Sequence, residues 1–357
     1  KFIFRLLQTR NEVGHLMNSR INFRIYMWLA ILITALLVMP FSPAAAENEK
    51  IIEHETGFYY TVQKGDTLWD LSRKFSDSAW LWPEMWQENS QIANPHRIYP
   101  GERIRLFRRA GSQKISEKKT GVAPPTLENL IHYDYSALNR VGFIRKQAVK
   151  PHGAIFKVLE TKVMISEDDI VYIRPEGDAK LVPGQRYTIY RTLKPIRDRF
   201  DNNYIGIQHL LTGVVEITQV QSNYLIATVI ESYRPINLED KLMPYYRRIP
   251  KIILKDSPKG LQGKIIEAED HNRIIGNQMT AFIDKGKKDG VHPGQFYTVF
   301  QQASEHLSPT KQGKVTLLPV DIAELLVVHN EDTTATVIIT RADKEFEAGS
   351  KIRSPVQ

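Results

Sequence analysis

Two stretches decide the fold of the N-terminal part of this chain: YTVQKGDTLWDLSRKF at Tyr60–Phe75 and NSQIANPHRIYPGERIRL at Asn89–Leu106. The first stretch opens with β-forming residues, turns at Gly65 and continues with helical spacing of its apolar residues. Thr67 followed by Asp70 resembles a capping box, with Asp in place of the usual Glu. The pattern therefore predicts a strand, a tight turn and a capped helix.

The second half of this module predicts another helix and a closing strand. Pro83 suits the first turn of a helix, and Asn94-Pro95 is expected to break it. Arg103–Leu106 has the alternation of a short strand. The predicted order is β-α-α-β over Phe58–Phe107.

These motifs resemble the LysM family along Tyr60–Leu106. The G-D-T-L turn, the N-P break and the I-Y-P-G-x-x-I closing strand occur in order, and Ser76–Glu88 is longer than in the shortest members. The resemblance implies binding of glycans built on N-acetylglucosamine, such as peptidoglycan or chitin. It also implies a shallow groove between the loop after the first strand and the loop before the last.

Carried over by motif, the resemblance places ten residues in this groove. They are Gly65, Asp66, Thr67 and Leu68 in the first loop, and Asn94, Pro95, His96, Arg97, Ile98 and Tyr99 in the second. An N-acetyl group offers an amide donor, an acceptor and a methyl, which loop backbones and Leu68 or Ile98 can complement. Structural roles are alternatives: Asp66 and Thr67 as helix caps, Gly65 as a turn former, and His96 and Arg97 as solvated loop residues.

Four of the five tryptophans lie in this module: Trp69, Trp80, Trp82 and Trp86. A sugar-stacking platform is one interpretation. We favour packing in the core or between domains, because a small module without disulfides needs large apolar side chains.

The segment 1–46 is typical of an export signal preceded by an upstream extension, with the natural start at Met17. Arg20 and Arg24 precede the apolar run Ile25–Met39, and Ala44-Ala45-Ala46 offers a cleavage site. That run is shorter than the roughly 20 residues of a spanning helix. We expect cleavage and a periplasmic or cell-envelope location, with membrane contact only if the segment is retained as an anchor.

Composition excludes several classes of function. The 357-residue chain has no cysteine, which excludes disulfides, cysteine nucleophiles and thiolate metal sites. Its net charge of +8 falls to +4 without the segment before Glu47, which is too mild to indicate a nucleic-acid partner. The length predicts two or three domains.

After a linker at 108–126, short β-branched runs separated by turn residues predict a mostly β region with a first domain at 127–250 and a second at 251–357. Pro183-Gly184-Gln185 recurs as Pro293-Gly294-Gln295, so we expect tandem repeats at 153–244 and 263–355. Each is predicted to be a small barrel or sandwich. The fold class is α+β and multidomain: a β-α-α-β module followed by two tandem barrel- or sandwich-like repeats.

No catalytic or metal-binding motif stands out: the ten histidines form no short zinc pair. Asp168-Asp169 and Glu239-Asp240 are interpreted as solvated turn acids, and the basic run Lys285–Gly290 as a hairpin. We therefore predict neither catalytic residues, metal nor cofactor.

The sequence predicts an exported, non-catalytic peptidoglycan-binding protein. Its β repeats are expected to act as a scaffold or to contact another envelope protein. Two alternatives stay open at this point: a wall hydrolase of unfamiliar type, and an ion-sensing or stress-related LysM protein.

Overall fold

The computed structural model describes residues 56–76, 78–106, 131–160, 164–177, 180–306 and 314–355. The predicted signal at 1–46 and linker at 108–126 lie outside these ranges. All of the described residues belong to one compact unit, His54–Gln357. In the ranges described, no helix is both long and apolar enough to span a bilayer.

The secondary structure is mostly strand, as the sequence predicts after the first module. There are two α-helices, α1 (Leu68–Phe75) and α2 (Trp82–Gln87), and 3-10 turns at Ala79–Leu81, Ser136–Arg140 and Lys287–Asp289. The strands are β1 (Gly57–Thr61), β2 (Arg103–Arg105), β3 (His132–Asp134), β4 (Phe143–Arg145), β5 (Gly153–Val158), β6 (Ile170–Pro175), β7 (Arg186–Arg197), β8 (Tyr204–Val220), β9 (Leu225–Ser232), β10 (Lys241–Pro244), β11 (Lys251–Ile253), β12 (Gln262–Ala268), β13 (Ile274–Ile275), β14 (Thr280–Ile283), β15 (Phe296–Gln301), β16 (Ser304–His306), β17 (Lys314–Thr316), β18 (Val320–Asn330), β19 (Ala335–Ala342), β20 (Phe346–Glu347) and β21 (Lys351–Arg353).

The N-terminal module has the predicted order β1-α1-α2-β2. Leu68, Leu71 and Phe75 turn one face of α1 into the module's core, where they meet Met85 of α2 and Ile104 of β2. The expected break at Asn94-Pro95 is not what ends the second helix, because α2 stops at Gln87.

The module shares its sheet with strands from later in the chain, in the order β11-β3-β1-β2. This sheet packs on β18 and β19: Tyr133 and Ile252 share a buried cluster with Leu326, Val328 and Ile338. The module is therefore continuous with the β region rather than tethered beside it.

The β region contains two ring-like arrangements of six strands. The second β unit is a closed barrel in the order β12-β14-β19-β18-β15-β21. The first β unit runs β8-β7-β10-β5-β6-β9, a β8–β9 pairing joins its ends, and β4 pairs with the outer part of β8. Each ring encloses an aliphatic core, with Ile155, Val171 and Val215 in the first and Ile265, Ala281 and Leu325 in the second.

Turn chemistry in the β region follows the sequence in part. Gly184 and Gly294 have positive φ (78° and 95°), as expected after Pro183 and Pro293. The basic run at 285–290, which contains the 3-10 turn Lys287–Asp289, is not a hairpin turn, because the flanking strands β14 and β15 do not pair with each other.

The interpretation of the paired acids as solvated turn residues is wrong for one acid of each pair. Asp169 and Asp240 are 8% and 2% exposed. Asp240 accepts two hydrogen bonds from the Arg191 guanidinium, at 2.7 and 2.8 Å. A buried carboxylate needs such partners to offset its desolvation.

His209 gives the fold a pH dependence. Its ring is fully buried, and Nε2 accepts a hydrogen bond from the Val149 N–H at 2.9 Å, which requires the neutral imidazole. Burial, helped by the nearby Arg145 charge, lowers the pKa of His209 to about 4. Because the unfolded histidine binds its proton near pH 6.5, the stabilisation is complete above that pH and is lost as the pH falls towards 4.

We expect His209→Gln to flatten the pH profile of stability. Between pH 6.5 and 4, the wild-type free energy of unfolding should fall by about 3 kcal/mol more than that of the variant. Urea unfolding at several pH values measures this difference. His329, whose pKa burial also lowers, is present in both proteins and cancels in the comparison. Equal slopes in the two proteins would contradict the assignment.

Candidate functional site

The first predicted loop is shaped by Asp66. Its Oδ2 accepts hydrogen bonds from the Tyr60 hydroxyl at 3.0 Å and from the Gln63 N–H at 2.7 Å. Gly65 has a φ of 96°, a conformation that other residues adopt at a cost. Asp66 therefore closes the turn after β1 instead of capping the helix, and it holds the loop in one shape.

Thr67 and Leu68 start α1. Thr67 Oγ1 accepts from the Asp70 N–H at 3.1 Å and donates to Asp70 Oδ2 at 2.7 Å, so Thr67 is the cap that the sequence predicts. The Leu68 side chain is only 2% exposed and lies in the core. It cannot supply the apolar contact considered above, so any ligand contact at Leu68 goes through the backbone.

The second predicted loop is held by its own polar groups. Asn94 Oδ1 accepts from the His96 N–H at 3.0 Å, and the Asn94 carbonyl accepts from the Arg97 N–H at 2.9 Å. The Tyr99 N–H donates to Glu102 Oε2 at 2.9 Å. These bonds turn the loop tightly.

Exposure differs along this loop. The exposed side chains are Asn94, His96, Arg97 and Tyr99, whereas Pro95 and Ile98 are partly buried. Ile98 packs against the core of the module with part of its surface open. It is therefore an aliphatic side chain that this loop can offer to a ligand, beside the exposed ring of Tyr99.

The structure brings the two loops together. They leave the same end of the β1–β2 pair, which is antiparallel with Thr61 opposite Arg103. Val62 joins them: its N–H donates to the Glu102 carbonyl at 2.8 Å, and its carbonyl accepts from the Gly101 N–H at 2.9 Å. The two loops that carry the ten predicted residues therefore start from adjacent points at one end of the β1–β2 pair.

The tryptophans divide into two groups. Trp82 and Trp86 are partly buried against the module's core, as favoured from the sequence, and Trp86 Nε1 donates to the Ile92 carbonyl at 2.7 Å. Trp69 and Trp80 are 43% and 82% exposed, so the packing interpretation is wrong for them within the described chain. Trp69 lies on the solvent-facing side of α1, and Trp80 lies on the solvent-facing side of the 3-10 turn Ala79–Leu81. Composition alone does not reveal this placement.

One neighbour of the second loop was missed by reasoning from motifs. The Trp82 ring lies 5.9 Å from the His96 ring. The first side chain of α2 therefore borders the loop before β2. The available signal was the longer stretch Ser76–Glu88, since it carries this residue.

A concave feature lies where the two β units meet. It is an open cleft of ≈ 440 Å³ lined by residues of both, including Arg140, Arg234 and Glu269. Glu269 accepts from the Gly142 N–H at 2.7 Å and lies 3.3 Å from Arg234. Burial raises the pKa of the Glu269 carboxyl, against the effect of Arg234. These contacts fasten the units together, which favours a structural role.

The described ranges hold no group of three or more His, Asp or Glu side chains able to bind a metal ion. Two of the ten predicted residues carry an ionisable carboxyl or imidazole group: Asp66 is bonded within its own turn, and the exposed His96 lies beside the Trp82 ring. The two loops also offer backbone groups and the partly exposed Ile98.

Comparison with known proteins identifies the module. Residues 60–107 match the family described as LysM domain. The chain is also 39% identical over 57 residues to the uncharacterized protein YqbP of Bacillus subtilis (strain 168), across 13% of this chain and 26% of that protein. The match thus spans about a quarter of the relative's length. Residues 60–107 are a LysM domain, which is a glycan-binding and not a catalytic domain, and such domains are typically extracellular or associated with the cell wall.

Proposed function

We propose that this chain binds peptidoglycan through the groove between Gly65–Leu68 and Asn94–Tyr99. The observation that supports the proposal is the pair of hydrogen bonds in this LysM domain that link Val62, just before the first loop, to Gly101 and Glu102, just after the second. A preformed groove spares the ligand the cost of ordering the loops.

The chemistry of the groove suits an N-acetyl group. The first turn of α1 leaves backbone N–H groups without intrahelical partners, which can donate to an acetamide carbonyl. Ile98 offers its partly open surface to the acetamide methyl. Such recognition needs no charge, so binding should depend little on salt.

We infer that the β region is a duplicated, non-catalytic scaffold with copies at 153–244 and 263–355. Corresponding strands pair in the same cyclic order in the two units. The bulge between Ile155 and Lys157 recurs between Ile265 and Glu267, at the repeat offset of 110 residues. Three further bulges follow the same offset, namely Ile189/Tyr190 with Val299/Phe300, Val214/Val215 with Glu324/Leu325, and Ile217/Gln219 with Val327/His329.

We further propose export of the chain to the periplasm or cell envelope, directed by the signal at 1–46. Support comes from the charged, apolar and small-residue order of that segment and from the habitual location of LysM domains. In the periplasm and cell envelope, the glycan that contains N-acetylglucosamine is peptidoglycan.

Asp66→Ala tests the groove. Loss of its two hydrogen bonds should free the first loop, and we expect affinity for a soluble N-acetylglucosamine oligomer to fall at least about tenfold. Isothermal titration calorimetry on the full chain measures this change.

The matched control is Asp169→Ala in the first β unit. Asp169 Oδ2 accepts from the Ser166 N–H at 2.9 Å, the same i to i+3 turn bond that joins Gln63 to Asp66. We expect Asp169→Ala to leave the affinity unchanged. If both variants bind like the wild type, or the wild type does not bind, the proposed groove is wrong.

A further inference from the structure

The first β unit grips the second with a long hairpin. The outer part of β7–β8, residues 194–210, is here named the first arm. Its Ile196 and Ile205 pack on Ile144, Ile266 and Phe282 in a cluster that joins the two units.

The tip of the first arm adds polar and aromatic contacts. Asp198 forms an ion pair with Lys264, whose ammonium lies 5.6 Å from the Phe200 ring centroid. The Phe200 ring also lies against Gly349, where an added Cβ would be 3.0 Å from it. Ile266, Phe282 and Gly349 together form the docking face of the second β unit.

The first β unit carries an equivalent of this docking face. Offsetting by 110 residues gives Phe156 for Ile266 and Tyr172 for Phe282. The correspondence is structural as well, because Phe156 and Ile266 each occupy the extra position of the same β-bulge. Glu239 occupies the position equivalent to Gly349, and both residues have positive φ (68° and 89°).

This equivalent face is open in the described chain. Phe156 and Tyr224 are each 37% exposed, and Tyr172 lies between them, with ring centroids 6.3 and 5.8 Å away. Phe156 and the partly exposed Tyr172 thus stand at the positions that the first arm covers on the second unit, and the Tyr224 ring adjoins them.

The described part of the second β unit carries an arm whose apolar side chains are exposed. Strands β16 and β17 and the residues after them, of which the structure describes 304–306 and 314–320, form this second arm, and the two strands make a separate sheet. Its exposed apolar residues are Val315 (37%), Leu317 (45%), Leu318 (87%) and Val320 (60%). By the repeat offset Val315 corresponds to Ile205, which packs on the docking face within the chain.

A third surface shows that these apolar positions are not a general property of the repeat. Leu326, Val328 and Ile338 of the second unit are buried beneath the β11-β3-β1-β2 sheet. Their equivalents in the first unit, which carries no such sheet, are the polar residues Glu216, Thr218 and Thr228. At the positions that the sheet covers on the second unit, the first unit is therefore polar. At the equivalent of the docking face, it is apolar. Contiguous exposed apolar surface marks an interface.

We propose that the second arm of one copy of this chain docks on Phe156 and Tyr172 of another copy, repeating between molecules the contact that the first arm makes within one. Such a head-to-tail contact is heterologous, so it leaves a free arm and a free face at the two ends and can extend. The Asp198–Lys264 ion pair has no counterpart, because Ala154 occupies the position of Lys264. The contact between copies therefore rests on apolar packing and depends on protein concentration.

Sedimentation velocity of the purified full chain at increasing concentration tests this proposal. We expect a progressive rise in sedimentation coefficient for the wild type. Leu318→Glu on the arm and Phe156→Glu on the face each place a charge in the contact, and each should weaken association at least about a hundredfold. The matched control is Ile249→Glu, which changes an aliphatic residue that is 74% exposed outside both surfaces.

Mixing the two interface variants gives the sharpest readout. Leu318→Glu retains an intact face and Phe156→Glu an intact arm, so their mixture should form a dimer that grows no further. A monomeric wild type at every concentration would overturn the proposal, as would association that Leu318→Glu leaves unchanged. A mixture that stays monomeric while the wild type associates would exclude the head-to-tail arrangement. None of these outcomes depends on glycan binding.

Discussion

Gly294→Ala should reduce the free energy of unfolding by about 4 kcal/mol or more, the upper end for a single substitution. At its φ of 95° a side chain already costs roughly 1–2 kcal/mol. The larger part is steric, because the new Cβ would overlap the carbonyl oxygen of Ile253. Ile253 belongs to β11, and the Gly294 carbonyl accepts from the Lys255 N–H at 2.9 Å. The substitution therefore pushes the shared sheet away from the second barrel.

Gly184→Ala is the matched control for this prediction. Gly184 occupies the corresponding Pro-Gly turn with a φ of 78°, and an added Cβ would meet nothing within 4 Å. We expect a loss of only about 1 kcal/mol, from the left-handed backbone alone. Urea unfolding followed by far-ultraviolet circular dichroism compares the two. Equal losses would show that the close approach of Ile253 does not exist in solution.

Asn89→Ala should unfold the LysM domain selectively. Asn89 is fully buried, and its Nδ2 donates to the carbonyls of Met85 at 2.6 Å and Arg105 at 2.9 Å. Its Oδ1 accepts from the Arg105 N–H at 2.7 Å. The side chain thus ties the end of α2 to β2, and removing it leaves buried backbone groups unpaired, at a cost of about 3 kcal/mol or more.

Tryptophan fluorescence isolates this effect, because four of the five tryptophans lie at 69–86. We expect the fluorescence transition of Asn89→Ala to move to lower urea while the β-sheet transition moves less. The control is Asn94→Ala, an exposed asparagine with a turn bond to the His96 N–H, which should cost less than about 1 kcal/mol. If the two variants unfold at the same urea concentration, the side chain of Asn89 does not tie α2 to β2 as described.

The parts of the fold that could be predicted from the sequence are those governed by neighbouring residues. Thr67 capping α1 depends on Asp70 three positions away, and the positive φ of Gly184 on a local turn. The two loops proposed to bind the glycan follow from the spacing of LysM motifs, and both adjoin the same end of the antiparallel β1–β2 pair. Local chemistry and a short-range pairing were sufficient there.

The rest depends on contacts between distant segments. Nothing near β1 indicates that β3 and β11 extend its sheet, because those strands are short and separated from it in sequence. The burial of Asp240 requires Arg191 from another strand, which composition at the turn cannot show. Trp80 and Trp82 differ in exposure although two residues apart, since a 3-10 turn rotates one outward. A sequence pattern therefore cannot decide which of these side chains are buried, because their burial depends on contacts with distant segments of the chain.

Self-association would matter for the proposed role. A single LysM groove offers few contacts, and head-to-tail copies would present several grooves to one glycan network, raising avidity without any new contact to the sugar. The two proposals stay separable, because the arm and the Phe156 face are built from residues outside the LysM domain.

Co-sedimentation with insoluble peptidoglycan at physiological salt tests the central claim most directly. We expect the purified chain to pellet with the polymer, and a soluble N-acetylglucosamine oligomer in excess to return it to the supernatant. A chain that stays in the supernatant, or that pellets and is not released by the oligomer, would contradict the account of Gly65–Leu68 and Asn94–Tyr99 as the glycan-binding groove.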